Sequence, residues 1–294
     1  MDASSSIERG LELAVQLAQG RGRGCERAPG QLGMAVRHAV FPGGARVRPR
    51  LCLAVSMACG GDAPRLAGAA ATSIELLHCA SLVHDDMPCF DDAHIRRGLP
   101  SVHKAYGEAL ALLAGDALIV LAFDVLGHAA EEAPERLGPV LSTLAAAAGM
   151  PGGIVAGQGW ESETAVPVEA YHRAKTGGLF IGAAAAGAQA AGDDPAPWRR
   201  LGQALGAAYQ AADDLRDALG TEEELGKPTG QDQVHHRPSL VSSCGVRETV
   251  TRLEDYVASA IAAIPPCAGA ASLEALIKSE AKRLKPKNLS LVAA

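Results

Sequence analysis

The residues best suited to chemistry lie between Glu75 and His103, in the run ELLHCASLVHDDMPCFDDAHIRRGLPSVH. Asp85, Asp86, Asp91 and Asp92 stand there beside Arg96 and Arg97. Carboxylates brought close together raise one another's pKa unless a cation sits between them. A hard divalent ion such as Mg²⁺ takes one or two carboxylates and completes its shell with phosphate oxygens and water. Guanidinium suits the same guest, because its fork matches phosphate oxygens and never loses its charge. A second acidic stretch, YQAADDLRD at 209–217, repeats the theme. On a helix, Asp213 and Asp217 stand one turn apart on one face, a like-charged pair that destabilises a bare helix. One DDxxD by itself reads more readily as a solvated helix face or a helix start. Two copies, the first followed by RRG, point instead to a metal–diphosphate site.

The elements that must carry these residues are helices. Ser5 with Glu8 forms a capping-box pattern ahead of Ile7, Leu11, Ala14, Val15 and Ala18, which predicts an amphipathic first helix. A Gly- and Arg-rich loop follows, and a further helical segment ends at Phe41-Pro42-Gly43-Gly44. Pro49 sits near the start of the next helix, where its missing N–H costs little. Segments 63–84, 103–130, 135–156, 168–191, 197–219, 246–264 and 271–284 all have Ala- and Leu-rich helical patterns. Period-2 alternation is nowhere sustained, no repeat of fixed period occurs, and no linker divides the chain. One all-α domain over residues 1–294 is expected. Abundant alanine and 3% aromatic residues suit close helix packing around a central cavity.

Composition narrows the function classes. Of the 294 residues, 48% are hydrophobic and 20% charged, enough for a sizeable core. A net charge of −6, with no basic run before Lys282, argues against nucleic acid as a partner. Cys25, Cys52, Cys59, Cys79, Cys89, Cys244 and Cys267 form no CxxC pair and are odd in number, which fits free thiols in a reducing cytoplasm. The start MDASSSIERG has no apolar core of a signal peptide. The longest apolar stretch, Ala109 to Phe123, carries Asp116 and falls short of the roughly 20 residues a bilayer needs. No transmembrane segment is expected.

The ordered motifs GGARVRP, ELLH…HDDMPCFDD…RRG, GQGWE, KTG, YQAADDLRD and GKPTGQD, spread over residues 43–238, resemble the trans-isoprenyl diphosphate synthases, or polyprenyl synthetases. The resemblance implies the helical isoprenoid synthase type I fold, with both acidic stretches facing one cavity. It implies three Mg²⁺ held against an allylic diphosphate, with Asp85, Asp91 and Asp213 as ligands. Asp86, Asp92, Asp214 and Asp217 then fall in the outer shell or bind through water. On an unbroken helix Asp92 would align with Asp85 better than Asp91 does. Pro88 disfavours such a helix, and the choice of Asp91 follows the resemblance. Arg96, Lys175 and Lys227 resemble the family's grip on the allylic diphosphate. Arg48, His78 and Arg97 resemble its pocket for isopentenyl diphosphate. Thr176 and the Gln210 amide oxygen resemble its stabilisers of the allylic cation. Members are commonly homodimers, with the apolar 109–123 segment a contact. His84, next to Asp85, is expected to orient it.

Two departures and one length signal stand out. The family usually reads Gly-Gly-Lys-Arg where this chain has Gly43-Gly44-Ala45-Arg46. Losing one charge-assisted contact costs roughly 1.5–3 kcal/mol, so isopentenyl diphosphate binds more weakly or Arg46 compensates. Glu161 replaces the usual Asp in GQGWE and keeps the carboxylate. Five residues before Asp85, where farnesyl-forming bacterial members carry an aromatic, stands Ala80, with Ser81 beside it. Small residues here plus the two-residue insertion in the motif (MPCF) resemble bacterial and plant geranylgeranyl diphosphate synthases. Phe123, Ile74 and Leu77 are candidates for a deeper floor. The basic tail KRLKPK at 282–287 reads as a solvated helix end.

Other functions fit less well. Farnesyl or longer products remain open within the family. A type I terpene cyclase would carry Ser or Thr in place of Asp217 and an acid in place of Thr221. A non-catalytic partner subunit would have lost one acidic stretch. A di-iron bundle would use two ExxH pairs, here Glu75 with His78 and Glu169 with His172, but leaves the aspartates, RRG and KTG unexplained.

Overall fold

The computed structural model describes residues 3–20, 29–220 and 239–284. Helix α1 (Ala3–Ala18) buries Ile7, Leu11, Ala14 and Val15, the stripe its 3.6-residue period dictates. It is already helical at Ala3, so Ser5 lies inside it and does not cap it. Helices α2 (Gly30–Val40) and α3 (Val47–Ala58) follow, with Pro49 in the first turn of α3. Helix α4 (Pro64–Asp85) starts on a proline and runs 22 residues to the first acidic stretch. A two-residue antiparallel hairpin, β1 (Ile95–Arg96) and β2 (Leu99–Pro100), carries RRG.

The remaining helices are α5 (Val102–Tyr106), α6 (Glu108–Ala129), α7 (Pro134–Ala148), α8 (Ile154–Trp160) and α9 (Val168–His172). A π-helical turn, Arg173–Gly177, leads into α10 (Gly178–Ala190). Then come α11 (Pro195–Leu219), α12 (Leu240–Ala262) and α13 (Ala270–Leu284).

Three predicted helices are interrupted. The segment 103–130 breaks at Gly107, whose φ of 88° only glycine adopts without strain. The segment 135–156 stops at Ala148, where Gly149 turns the chain toward α8. The segment 168–191 contains the π turn. Helix α12 starts earlier than predicted, on a capping box between Ser239 and Ser242, and passes through Gly245 at φ 80°.

Helix α4 is the central rod. Ser73 on it donates to the backbone oxygens of Ala69 and, across the interface, of Ala122 on α6 at 2.6 Å. Helix α10 is buried nearly all round because most of its residues are Ala or Gly, which let α3, α7 and α11 close on it from several sides. Cysteines 52, 59, 79, 89, 244 and 267 are free thiols, and burial pushes Cys52 and Cys79 up to about 12.

By length and composition alone, helices α4 and α6 are each long and apolar enough to cross a membrane, a property that the core helices of a folded domain share. Helix α6 extends the Ala109–Phe123 run at both ends. Most of α4 is buried, whereas α6 leaves Leu112, Leu113 and Val120 exposed.

The N-terminal half is tied together by one buried cation. Arg46, at a left-handed φ of 47°, donates to Glu8 at 2.8 Å, to Glu75 at 2.7 Å and to the Val40 carbonyl at 2.8 Å. Its whole fork is engaged in joining α1, α2 and α4, so it does not compensate for Ala45. Glu75 is likewise spent on Arg46, which removes it from any di-iron site. Glu75→Ala therefore leaves a buried guanidinium half-paired and is expected to cost about 3–5 kcal/mol in urea unfolding. Glu12→Ala, which breaks the exposed pair with Arg37, is expected to cost no more than about 1 kcal/mol in the same measurement.

Candidate active site

Helix α4 ends at Asp85, and the following turn winds back on itself: the Asp91 N–H donates to the Asp85 carbonyl at 3.0 Å. This turn sets Asp91, not Asp92, beside Asp85. Oxygens of Asp85, Asp91 and Glu161 lie within 4.8 Å of one another, the sole such carboxylate group among the described residues. Asp92 faces the other way, toward Lys104 at 3.1 Å and His103 at 3.3 Å. Asp86 is buried and accepts a forked pair of bonds from Arg96, whose Nε lies 2.9 Å away. Burial raises the Asp86 pKa against the pull of Arg96.

Glu161 is the residue the sequence undervalued. It accepts from the Lys175 ammonium, from the Tyr171 hydroxyl at 2.7 Å and from the Gln158 amide at 3.0 Å. The signal was present in GQGWE, where Gln158 and Glu161 are three residues apart on one helical face. Lys175 also reaches Asp85 at 3.3 Å, so its ammonium bridges two members of the carboxylate group. Its ring neighbour is Tyr171, 6.0 Å from the ammonium.

Lys175 and Thr176 are presented by the π turn, a form of helix with an extra residue in the turn that recurs at functional sites. Gly157 makes that position reachable: a Cβ on it would stand 2.4 Å from the Lys175 backbone. The Thr176 hydroxyl donates to the Gln210 amide oxygen on α11, and the Gln210 amide donates to Asp214 at 2.7 Å. The π turn thereby links the first acidic stretch to the second.

In the second stretch the two adjacent aspartates divide. Asp213 is exposed on α11 and lies outside the Asp85–Asp91–Glu161 group, although its charge acts on Arg48. Asp214 is buried and accepts from the Leu240 N–H at 2.6 Å, holding the start of α12. It thereby joins α11 to α12. Burial pushes it up to about 6 despite these two donors. Asp217 is half-buried one turn on.

Arg48, His78 and Arg97 do converge. Arg48 Nη1 donates to His78 Nε2 at 3.3 Å, and its guanidinium lies 4.6 Å over the Phe180 ring. Arg48 Nε is buried without a partner. Arg97 reaches the Gly43 carbonyl, at a left-handed φ of 55°. Desolvation, then the charges of Arg48 and Arg97, holds the His78 pKa well below its usual range. The side chain at position 45 adds no cation here. Lys227 lies outside the described residues.

His84 does not orient Asp85. Its ring turns toward α6, 3.4 Å from the Leu112 carbonyl and 3.7 Å from Asp116, over Gly115, where any Cβ would collide with it. Ala80 is buried, and the Ser81 hydroxyl donates to the His78 carbonyl at 2.8 Å, as is common within helices. Phe123 adjoins the Ser73–Ala122 crossing, about 10 Å along α4 from Ala80 at 1.5 Å per residue. Ile74 and Leu77 are buried in the core at the same levels.

Comparison with known proteins places this geometry. The family model described as "Polyprenyl synthetase" matches residues 30–263. The chain is 53% identical to a geranylgeranyl diphosphate synthase of Cereibacter sphaeroides over 97% of this chain and 99% of that one. It is 38% identical to a farnesyl diphosphate synthase of Geobacillus stearothermophilus over 84% and 88%. A Helicobacter pylori geranyltransferase, solved with magnesium and isoprenyl diphosphate, superposes with a TM-score of 0.79 at 27% identity, over 96% and 98% of the two chains.

His78 should stay neutral well below pH 6.5 in the free protein. Between its folded pKa and 6.5 the unfolded chain binds the extra proton, so this group makes stability fall as the pH drops below 6.5. The imidazole proton shifts of His78, followed by NMR against a His78→Gln reference, should not move between pH 8 and 6. Inorganic pyrophosphate, by offsetting the two arginines, should bring the titration up into that range.

Proposed function

The chain belongs to the polyprenyl synthetase family, and from that premise we propose that it condenses isopentenyl diphosphate head-to-tail with an allylic diphosphate to give geranylgeranyl diphosphate. The observation that carries the reading is the grouping of Asp85, Asp91 and Glu161, with Lys175 bridging Asp85 and Glu161 next to Arg96, and Arg48, His78 and Arg97 as a second cationic set.

The oxygen-only donor set suits a hard ion such as Mg²⁺, with Asp85 and Asp91 as its ligands from the first stretch and Asp213 from the second. When bound, the ions would draw charge onto the departing diphosphate as Lewis acids. Arg96, Lys175 and Lys227 hold that leaving group, while Arg48, His78 and Arg97 hold isopentenyl diphosphate. The allylic C–O bond breaks, and its electron pair leaves with the diphosphate. The Thr176 hydroxyl and Gln210 amide oxygen face the resulting cation, which must be kept from water. The double bond of isopentenyl diphosphate then attacks to form the new C–C bond. A proton is lost to an oxygen of the released diphosphate, so no side chain has to act as a tuned base.

Product length follows from Ala80. With a small buried residue there, the growing chain can pass down α4 toward Phe123. Purified protein with Mg²⁺, labelled isopentenyl diphosphate and dimethylallyl, geranyl or farnesyl diphosphate should give mainly the C20 product by chromatography. Ala80→Phe should shift it to C15. A C15 or longer product from the unmutated protein would keep the reaction class and overturn the Ala80 argument. No product from any primer would overturn the reading itself.

The exposed Leu112, Leu113 and Val120 on α6 make it the contact surface of a homodimer, since an apolar patch of this kind on a soluble chain usually marks an interface. A Leu113→Glu, Val120→Glu double variant should sediment as a monomer where the unmutated protein sediments as a dimer.

A further inference from the structure

Asp92 invites a role in the metal shell by its sequence, yet the structure points it elsewhere. Its Oδ1 lies 3.1 Å from Lys104 Nζ and 3.3 Å from His103 Nε2. A carboxylate only accepts, so His103 Nε2 carries the hydrogen and Nδ1 faces the Ser101 hydroxyl at 3.0 Å. His103 is buried, and Ser101 fixes its ring. The other oxygen, Oδ2, has His94 at 3.9 Å. These partners of the carboxylate belong to α5 or to the residues leading into the β1–β2 hairpin. The Lys104 hydrogen bond, with that of His103, holds the Asp92 carboxyl below the usual carboxylate range.

The backbone of Asp92 is equally unusual. Its φ is 44°, a left-handed conformation that Asp and Asn tolerate better than other residues with a Cβ. The turn around it is dense with backbone bonds. Asp91 N–H donates to Asp85 O, Asp92 N–H to Met87 O at 3.1 Å, and Ala93 N–H to Asp86 O at 3.1 Å. Reversing the chain at Asp92 is what leaves Asp91 against Asp85 and Glu161.

We propose that Asp92 is a positioning residue: its carboxylate, anchored to His103 and Lys104, fixes the left-handed turn that aims Asp91 into the Asp85–Glu161 group. This rests on the metal-site reading above. Outer-shell partners of this kind typically change metal affinity ten- to a hundredfold when removed.

The test measures Mn²⁺ binding to the full-length protein in the presence of inorganic pyrophosphate, by electron paramagnetic resonance, beside the melting temperature. Asp92→Asn keeps the left-handed tolerance and one acceptor for Lys104 but loses the charge. Asp92→Gly keeps the turn and loses the anchor, and Asp92→Ala loses both. A positioning role predicts Mn²⁺ affinity close to the unmutated value for Asn, reduced for Gly, and reduced by roughly tenfold or more for Ala. A direct ligand would make all three weaken alike, and a purely structural residue would lower the melting temperature without changing affinity. Either result overturns the proposal. Asp85→Asn serves as the reference: if it binds Mn²⁺ as tightly as the unmutated protein, the metal-site reading fails, and the proposal with it.

Discussion

The site depends on a single ammonium group held among carboxylates. Asp85 ends one helix, Glu161 ends another, and without a cation between them their charges would drive these elements apart. Lys175 supplies that cation from the π turn. The extra residue in that turn and the bare backbone of Gly157 bring Lys175 near enough to touch both acids. A side chain at Gly157 would push the π turn away and undo the arrangement from behind.

The π turn also transmits. Thr176, next to Lys175, bonds Gln210, and Gln210 bonds Asp214, which in turn holds the first N–H of α12. The first acidic stretch, the π turn and the second stretch are therefore one connected polar chain running through an otherwise apolar bundle. Such chains are rigid only when each member has its partner. The two adjacent aspartates divide accordingly: Asp213 lies exposed on the surface of α11. The inward one gives its oxygens to the fold.

Two arginines separated by one residue show the same division. Arg46 is sealed into the core by Glu8, Glu75 and the Val40 carbonyl, whereas Arg48 lies against His78 and Phe180 with one nitrogen unpartnered. The left-handed backbone of Arg46 sends its side chain inward at the very point where the chain leaves Gly43 and Gly44 for α3. Position 45 consequently cannot borrow its neighbour's charge, and the cationic pocket is built from Arg48 and Arg97.

Sequence alone determined the helical class, the two acidic stretches, RRG and KTG, and hence the metal–diphosphate chemistry. Each is a matter of residue type and spacing along the chain. It also identified Arg48, His78 and Arg97, which tertiary packing does bring together. Backbone reversals and long-range pairing were settled only in three dimensions. The turn at Asp92 chooses Asp91 over Asp92, a choice that helical spacing would have reversed. Glu161 became central through its contact with a lysine fourteen residues away across a π turn, a form no periodicity announces. Adjacency suggests that His84 orients Asp85 and that Arg46 stands in for the missing lysine, yet packing turns each toward a neighbouring element. Spacing along a chain fixes which groups share a helix face, but the direction of the chain where a helix ends decides which faces meet.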